Sequence, residues 1–111
     1  MKYRYNETLP ADFAALAQKC GARIPLKSAY EAIRNSLFTV GIFEEEQLVA
    51  FGRICGDGVL YYLVCDVMVA EEFRERHLEE NLLRELGDYL REHRRRESRV
   101  MIRTDRAYAE V

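Results

Sequence analysis

What the sequence lacks narrows its function first. No apolar run is long enough to span a bilayer, which takes about 20 residues of helix. The opening Met1-Lys2-Tyr3-Arg4-Tyr5-Asn6 leads into no apolar core of the kind that marks a secretion signal. There is no C-x-x-C pair. The cysteines are Cys20, Cys55 and Cys65, an odd number, with two of them in apolar runs. They read as reduced core residues of a cytoplasmic protein. His77 and His93 do not have metal-ligand spacing, so no metal is expected. Charge of one sign is missing too: 17 Lys and Arg against 19 Asp and Glu leave a net charge of −2. That balance gives no whole-molecule attraction to nucleic acid or to an acidic membrane. No internal repeat, linker or low-complexity segment divides the chain.

What is present reads as one folded domain of 111 residues, with 49% hydrophobic and 32% charged residues. A chain this short buries a smaller fraction of its surface than a larger one, so pairing into a dimer is a reasonable way to cover leftover apolar surface. Tyr3 to Asn6 alternates like a short edge strand. Pro10 sits where helices accept proline, and Phe13, Leu16 and Ala17 form one helical face that ends near Gly21. Pro25 opens a shorter helix, Ser28 to Asn35, with Tyr30 and Ile33 turned inward. Ser36–Phe43 and Leu48–Cys55 are strands of a hairpin around the polar run Glu44-Glu45-Glu46-Gln47. Gly56-Asp57-Gly58 is a second tight turn, into a long third arm, Val59–Val69. Leu78, Leu82, Leu86 and Tyr89 then keep helical spacing, widened by Leu83 and Leu90. Acidic residues crowd the start of that helix and arginines its end, as the helix dipole favours. Arg99–Arg103 is a final strand.

The stretch VMVAEEFRERHLEENLL, Val67 to Leu83, joins strand to helix. Such junctions commonly cradle phosphate on free helix N–H groups. This one holds Glu71, Glu72, Glu75, Glu79 and Glu80 and no glycine.

A strand, two helices, three antiparallel strands, a helix and a strand resemble the first part of the GNAT N-acetyltransferase fold. The stretch SLFTVGIFEEEQLVAFGRICGDGVLYYLVCDVMVAEEF, Ser36 to Phe73, is similar to the central sheet of a bacterial GNAT enzyme. The resemblance runs through nearly the whole chain. It implies an α+β fold, a mostly antiparallel sheet flanked by helices and splayed between its fourth and fifth strands, where the family holds the pantetheine arm of acetyl-CoA. It also implies a pyrophosphate loop of pattern R/Q-x-x-G-x-G/A opening the next helix. On that pattern Arg74 takes the first position, His77 stands at the first glycine and Glu79 at the second glycine or alanine. Glu75 replaces a further frequent glycine, and Arg76 and Leu78 fill the remaining positions. Side chains there occupy the ligand's space, and Glu79 sets a like charge beside the phosphates. The helix is able to begin earlier, near Glu71, because nothing from Glu71 to Leu78 is a strong breaker. The family continues with a helix and two more strands, for which the chain ending at Val111 has too few residues. Missing strands would leave a sheet edge open to a second chain. Tyr108 is the one tyrosine in the place of the family's general acid, without the local pattern around it.

Each candidate residue has a plainer alternative. Asp66 interrupts an apolar strand beside the expected splay; it is a buried base, or more simply a carboxylate paired with an arginine or a backbone amide. Tyr61 and Tyr62 line an acceptor pocket, or one is core and the other surface. Arg74 and Arg76 bind phosphate, or pair with glutamates at helical spacing. Cys65 has no cationic partner nearby in sequence and reads as packing. His93-Arg94-Arg95-Arg96, with Arg91, Arg99, Arg103 and Arg106, forms a basic patch without interleaved aromatics, so a solvated helix end is simpler than a nucleic-acid site. Two functions remain. One is a GNAT-shaped module with lost acetyl-CoA binding that works by protein contact, as a homodimer. The other is an acetyl-CoA-dependent N-acetyltransferase. In it the backbone amides near Val67 and Val69 would steady the thioester carbonyl, and Asp66 would take the amine proton. The departures in the loop favour the first.

Overall fold

The apolar runs of this chain form a five-stranded sheet in the computed structural model, which describes residues 1–103. In chain order the elements are β1 (Lys2–Tyr5), α1 (Pro10–Lys19), α2 (Leu26–Arg34), β2 (Phe38–Glu44), β3 (Gln47–Gly56), β4 (Tyr61–Val69), α3 (Leu78–His93) and β5 (Arg99–Ile102). A 3-10 turn, Glu71–Arg76, stands between β4 and α3. The strands lie in space in their sequence order. All neighbours are antiparallel except β4 and β5, which run parallel with α3 as their crossover.

Local chemistry explains the turns. Glu44 pairs with Gln47, so Glu45 and Glu46 alone close the β2–β3 hairpin, both at positive φ (49° and 70°). That is the geometry of a type I′ turn, which suits the right-handed strand twist even without the usual Asn-Gly. Between β3 and β4, Gly56 has φ +132°, and a Cβ there would lie 2.2 Å from the carbonyl oxygen of Tyr61. Only glycine fits. The Asp57 carboxylate accepts the N–H groups of Val59, Leu60 and Tyr61 at 2.8, 2.9 and 3.0 Å, and those bonds hold its carboxyl below the usual range.

Helices cover both faces of the sheet. On one, Leu78, Leu82, Leu86 and Leu90 of α3 pack on Val40, Ile42, Ile54, Tyr62, Val64, Val67 and Val69. On the other, Phe13, Leu16 and Ala17 of α1 and Ala29 of α2 pack on Phe43, Leu48, Phe51 and Met68. The expected inward face of the second helix is corrected in part. Ala29 is its buried residue and Ile33 packs at the margin, but Tyr30 is 55% exposed. The helix begins at Leu26, and the small Ala29 rather than the large Tyr30 meets α1. Among the described residues no helix is long and apolar enough to cross a membrane.

Candidate functional site

The site is built where β4 loses its partner. β5 pairs with Tyr61 to Val64, and a last bond runs from Arg103 N–H to the Val64 oxygen at 2.8 Å. Beyond that point, among the described residues, Cys65 to Val69 has a strand neighbour only on the β3 side. The register with β3 also slips here. Arg53 faces Cys65 and Phe51 faces Met68, so Asp66 and Val67 together oppose Gly52. This is a β-bulge, and Asp66 makes it by adopting φ +53°. Aspartate is one of the few side chains that tolerate the left-handed region, and bulges re-aim the residues around them.

An ion pair holds the bulge. Arg53 Nε donates to Asp66 Oδ2 at 2.6 Å, with side-chain exposures of 16% and 15%. Arg53 Nη1 also reaches Ser36 Oγ at 3.2 Å, whose hydroxyl donates to the Ala32 oxygen at 2.8 Å. One guanidinium thus ties the end of α2 to β3 and β4. Burial pulls the Arg53 guanidinium down, but the hydrogen bond to Asp66 and the nearby thiols and carboxylate outweigh it, and the net direction is up. The simpler sequence reading of Asp66, a paired carboxylate, is the arrangement found. Arg53 is what sequence reasoning missed. The available signal was a pair of interruptions: an arginine in apolar β3 and an aspartate in apolar β4, which antiparallel pairing brings within reach of each other.

Cys65 stands beside this pair, 3% exposed, with its Sγ 3.7 Å from Cys55 Sγ. Burial pushes its thiol up to about 12, opposed by the Arg53 guanidinium and reinforced by Asp66 and Cys55. The fold therefore supplies the cationic neighbour that sequence order hid. A thiol that keeps its proton longer when folded makes the folded state lose ground once the unfolded chain deprotonates. Stability is full below about pH 9 and falls as pH rises toward about 12, by at most about 1.4 kcal/mol per pH unit for this one proton. Urea midpoints measured at pH 8 and pH 10.5 are expected to drop further for the wild type than for Cys65→Ala.

The turn after β4 departs from a continuous helix. Glu71–Arg76 is 3-10, and His77, at φ +58°, separates it from α3. The helix is thus not continuous from Glu71. His77 takes a backbone conformation that favours glycine, at the position where the resemblance asks for one. The N-terminus of α3 has no side-chain cap, and Glu71, Glu72, Glu75, Glu79 and Glu80 are all exposed around it. His77 Nδ1 lies 3.7 Å from Glu80 Oε1. The partners of the arginines differ from those expected, although Arg76 is in an exposed ion pair. Arg74 Nε donates to the Val69 oxygen at 3.4 Å, while Arg76 stacks over Phe73 and pairs with Glu44 of the β2–β3 turn at 3.5 Å. In the 3-10 turn residues four apart no longer share a face, so Glu72 and Arg76 are not brought together as they would be in an α-helix.

The remaining candidates are placed as follows. Val67 and Val69 lie on the stretch of β4 beyond its pairing with β5, with their side chains in the core under α3. Leu78 is 4% exposed and joins the same core. Tyr62 is 2% exposed under α3, and its hydroxyl donates to the Gly58 oxygen at 2.9 Å. Tyr61 is 46% exposed on the opposite face. Strand alternation splits the pair, so one tyrosine is core and the other surface. Tyr108 and Arg106 lie outside the described residues. In the basic patch, Arg91 pairs with Asp88, and Arg94 donates to the Ser98 oxygen at 2.9 Å.

No protein-family model matches the chain, and no curated protein does. Solved structures do. A protein of unknown function from meticillin-resistant Staphylococcus aureus, described as a probable acetyltransferase, superposes with a TM-score of 0.87 at 21% identity, covering 98% of this chain and 86% of that one. A GNAT-family acetyltransferase from Streptococcus pneumoniae gives 0.74 at 20% identity, over 93% and 74% of the two chains. An aminoglycoside 6′-N-acetyltransferase complexed with coenzyme A gives 0.65 at 15%, over 84% and 57%.

Proposed function

We propose, from the premise that the chain has the fold of the GNAT acetyltransferases, that it is an acetyltransferase-like protein holding acetyl-CoA weakly or not at all. On this reading it works as a non-catalytic protein-interaction module, as a homodimer. The observation that carries the reading is the filling of the turn between β4 and α3. A diphosphate is held by clustered backbone N–H groups and by cations, with no Cβ in the way. Here His77 and Glu79 put side chains at the glycine positions, and five glutamates surround two arginines, of which Arg76 is already engaged by Glu44. These residues do not suit the nucleotide end of coenzyme A, the ligand carried by one of the similar structures. The homodimer is supported by the outer edge of β5, which among the described residues pairs on one side only and exposes Met101 at 51% and Ile102 at 62%. Edges of this kind accept a second chain.

A second reading is favoured by one observation, the stretch Cys65–Val69, which among the described residues is paired on its β3 side alone, beside a turn that still takes the glycine-type conformation at His77. On that reading the protein is an N-acetyltransferase for an amine of a small molecule or a protein. Release of free thiol from acetyl-CoA in the presence of polyamines and peptide amines separates the two. The proposal expects a rate no faster than without protein. Release that scales with protein concentration would overturn it in favour of the enzyme.

A further inference from the structure

The two thiols beside the bulge have no part in the reading above. We infer that Cys55 and Cys65 form a reversible cross-strand disulfide, a redox modification site that takes a hydroperoxide as its oxidant. The two sulfurs are 3.7 Å apart, so about 1.6 Å of approach brings them to bonding distance. Their backbones are already matched. Cys55 pairs with Leu63 and Arg53 with Cys65, which places Cys55 and Cys65 diagonally on adjacent antiparallel strands and on one face of the sheet. Diagonal neighbours of this kind have backbones about 7–8 Å apart, at the far limit of natural bridges, so closing the bond takes a small shift of the strands as well as side-chain rotation. Cys55 is the next-to-last residue of β3, one position before Gly56 and the turn into β4.

The two thiols have different access, which sets the order of events. Cys55 is half-buried and Cys65 is buried, so peroxide meets Cys55 first. The Arg53 guanidinium lies beside both sulfurs, so a cation faces the place where the thiols react. The Cys55 thiolate attacks the peroxide O–O bond; an S–O bond forms, the O–O bond breaks, and one water leaves after taking a proton. The Cys65 thiol then attacks the sulfenyl sulfur; the S–S bond forms, the S–O bond breaks, and a second water leaves with the thiol proton. Two thiols lose two electrons in all, and one hydrogen peroxide becomes two waters. The bridge would staple β3 to β4 at the place where β4 parts from β5. Cys20, whose Sγ contacts the Val69 oxygen at 3.6 Å, is the internal control.

The test treats the full chain with hydrogen peroxide, alkylates under denaturing conditions without reductant, and maps the peptides by mass. The expected result is a Cys55–Cys65 linked peptide within one chain, about 2 Da lighter than the two thiols and restored by dithiothreitol. Cys20→Ser should retain the link, and Cys55→Ser should abolish it without producing a Cys20–Cys65 bridge. Cys65 alkylated in full while Cys55 runs on to sulfinic acid, or disulfides found only between chains, would overturn the inference. The wild-type map decides this even if a serine variant folds poorly.

Discussion

Truncating Leu82 to alanine is expected to lower stability by about 3–5 kcal/mol, the range for a fully enclosed leucine whose cavity cannot collapse. Leu82 is 0% exposed, with Leu78 and Leu86 before and after it on the same face of α3. The sheet beneath leaves little room to close the gap. At Gly52 of β3 a Cβ would already lie 2.9 Å from Leu86 Cδ1, so strand and helix are in tight contact. A domain of this size has roughly 5–15 kcal/mol in all, so the loss is a large share of the total. Leu83, on the same helix but 39% exposed, is the matched comparison, and its alanine variant should cost about 1 kcal/mol or less. Urea unfolding of both variants checks the claim. Equal losses would mean that α3 does not pack as described.

Replacing His77 and Glu79 together by glycine is expected to raise affinity for coenzyme A about tenfold or more. The argument is electrostatic and steric. A carboxylate a few ångströms from a diphosphate at a protein surface opposes it by about 1–4 kcal/mol, and about 1.4 kcal/mol is a factor of ten in binding. Removing two side chains also lets the ligand approach backbone N–H groups at the start of α3. The fold should tolerate the change. Glycine at position 77 relieves a positive-φ histidine by about 1–2 kcal/mol, which offsets the loss of a better helix former at position 79. Titration of the variant beside the wild type reads the gain directly. Equal binding would put the obstacle elsewhere than in the turn.

Much of this fold was legible in the sequence, because period and turn chemistry act locally. The four-residue spacing of Leu78, Leu82 and Leu86 fixed the buried face of α3, and Gly56-Asp57-Gly58 fixed the turn into β4. The break at His77 was not legible. Nothing in EEFRERHLEEN is a strong breaker, and the left-handed residue there is a histidine, not a glycine. Tyr30 was misjudged because helical phase alone does not say which neighbour covers a face, and only small Ala29 fits against α1. The site showed the same limit. Asp66 stood out as a charge in an apolar strand, but its partner Arg53 lies 13 residues away, and register alone brings them together. The Cys55–Cys65 contact depends on that register too.

The most direct test of the central claim is calorimetric titration of acetyl-CoA into the purified wild-type protein, with desulfo-coenzyme A as a second ligand. The account predicts no saturable heat up to millimolar ligand, since on the proposed reading the glutamates of the turn oppose the phosphates. Saturable binding at micromolar concentration would contradict it and establish that the cofactor reaches the β4 edge without a glycine loop.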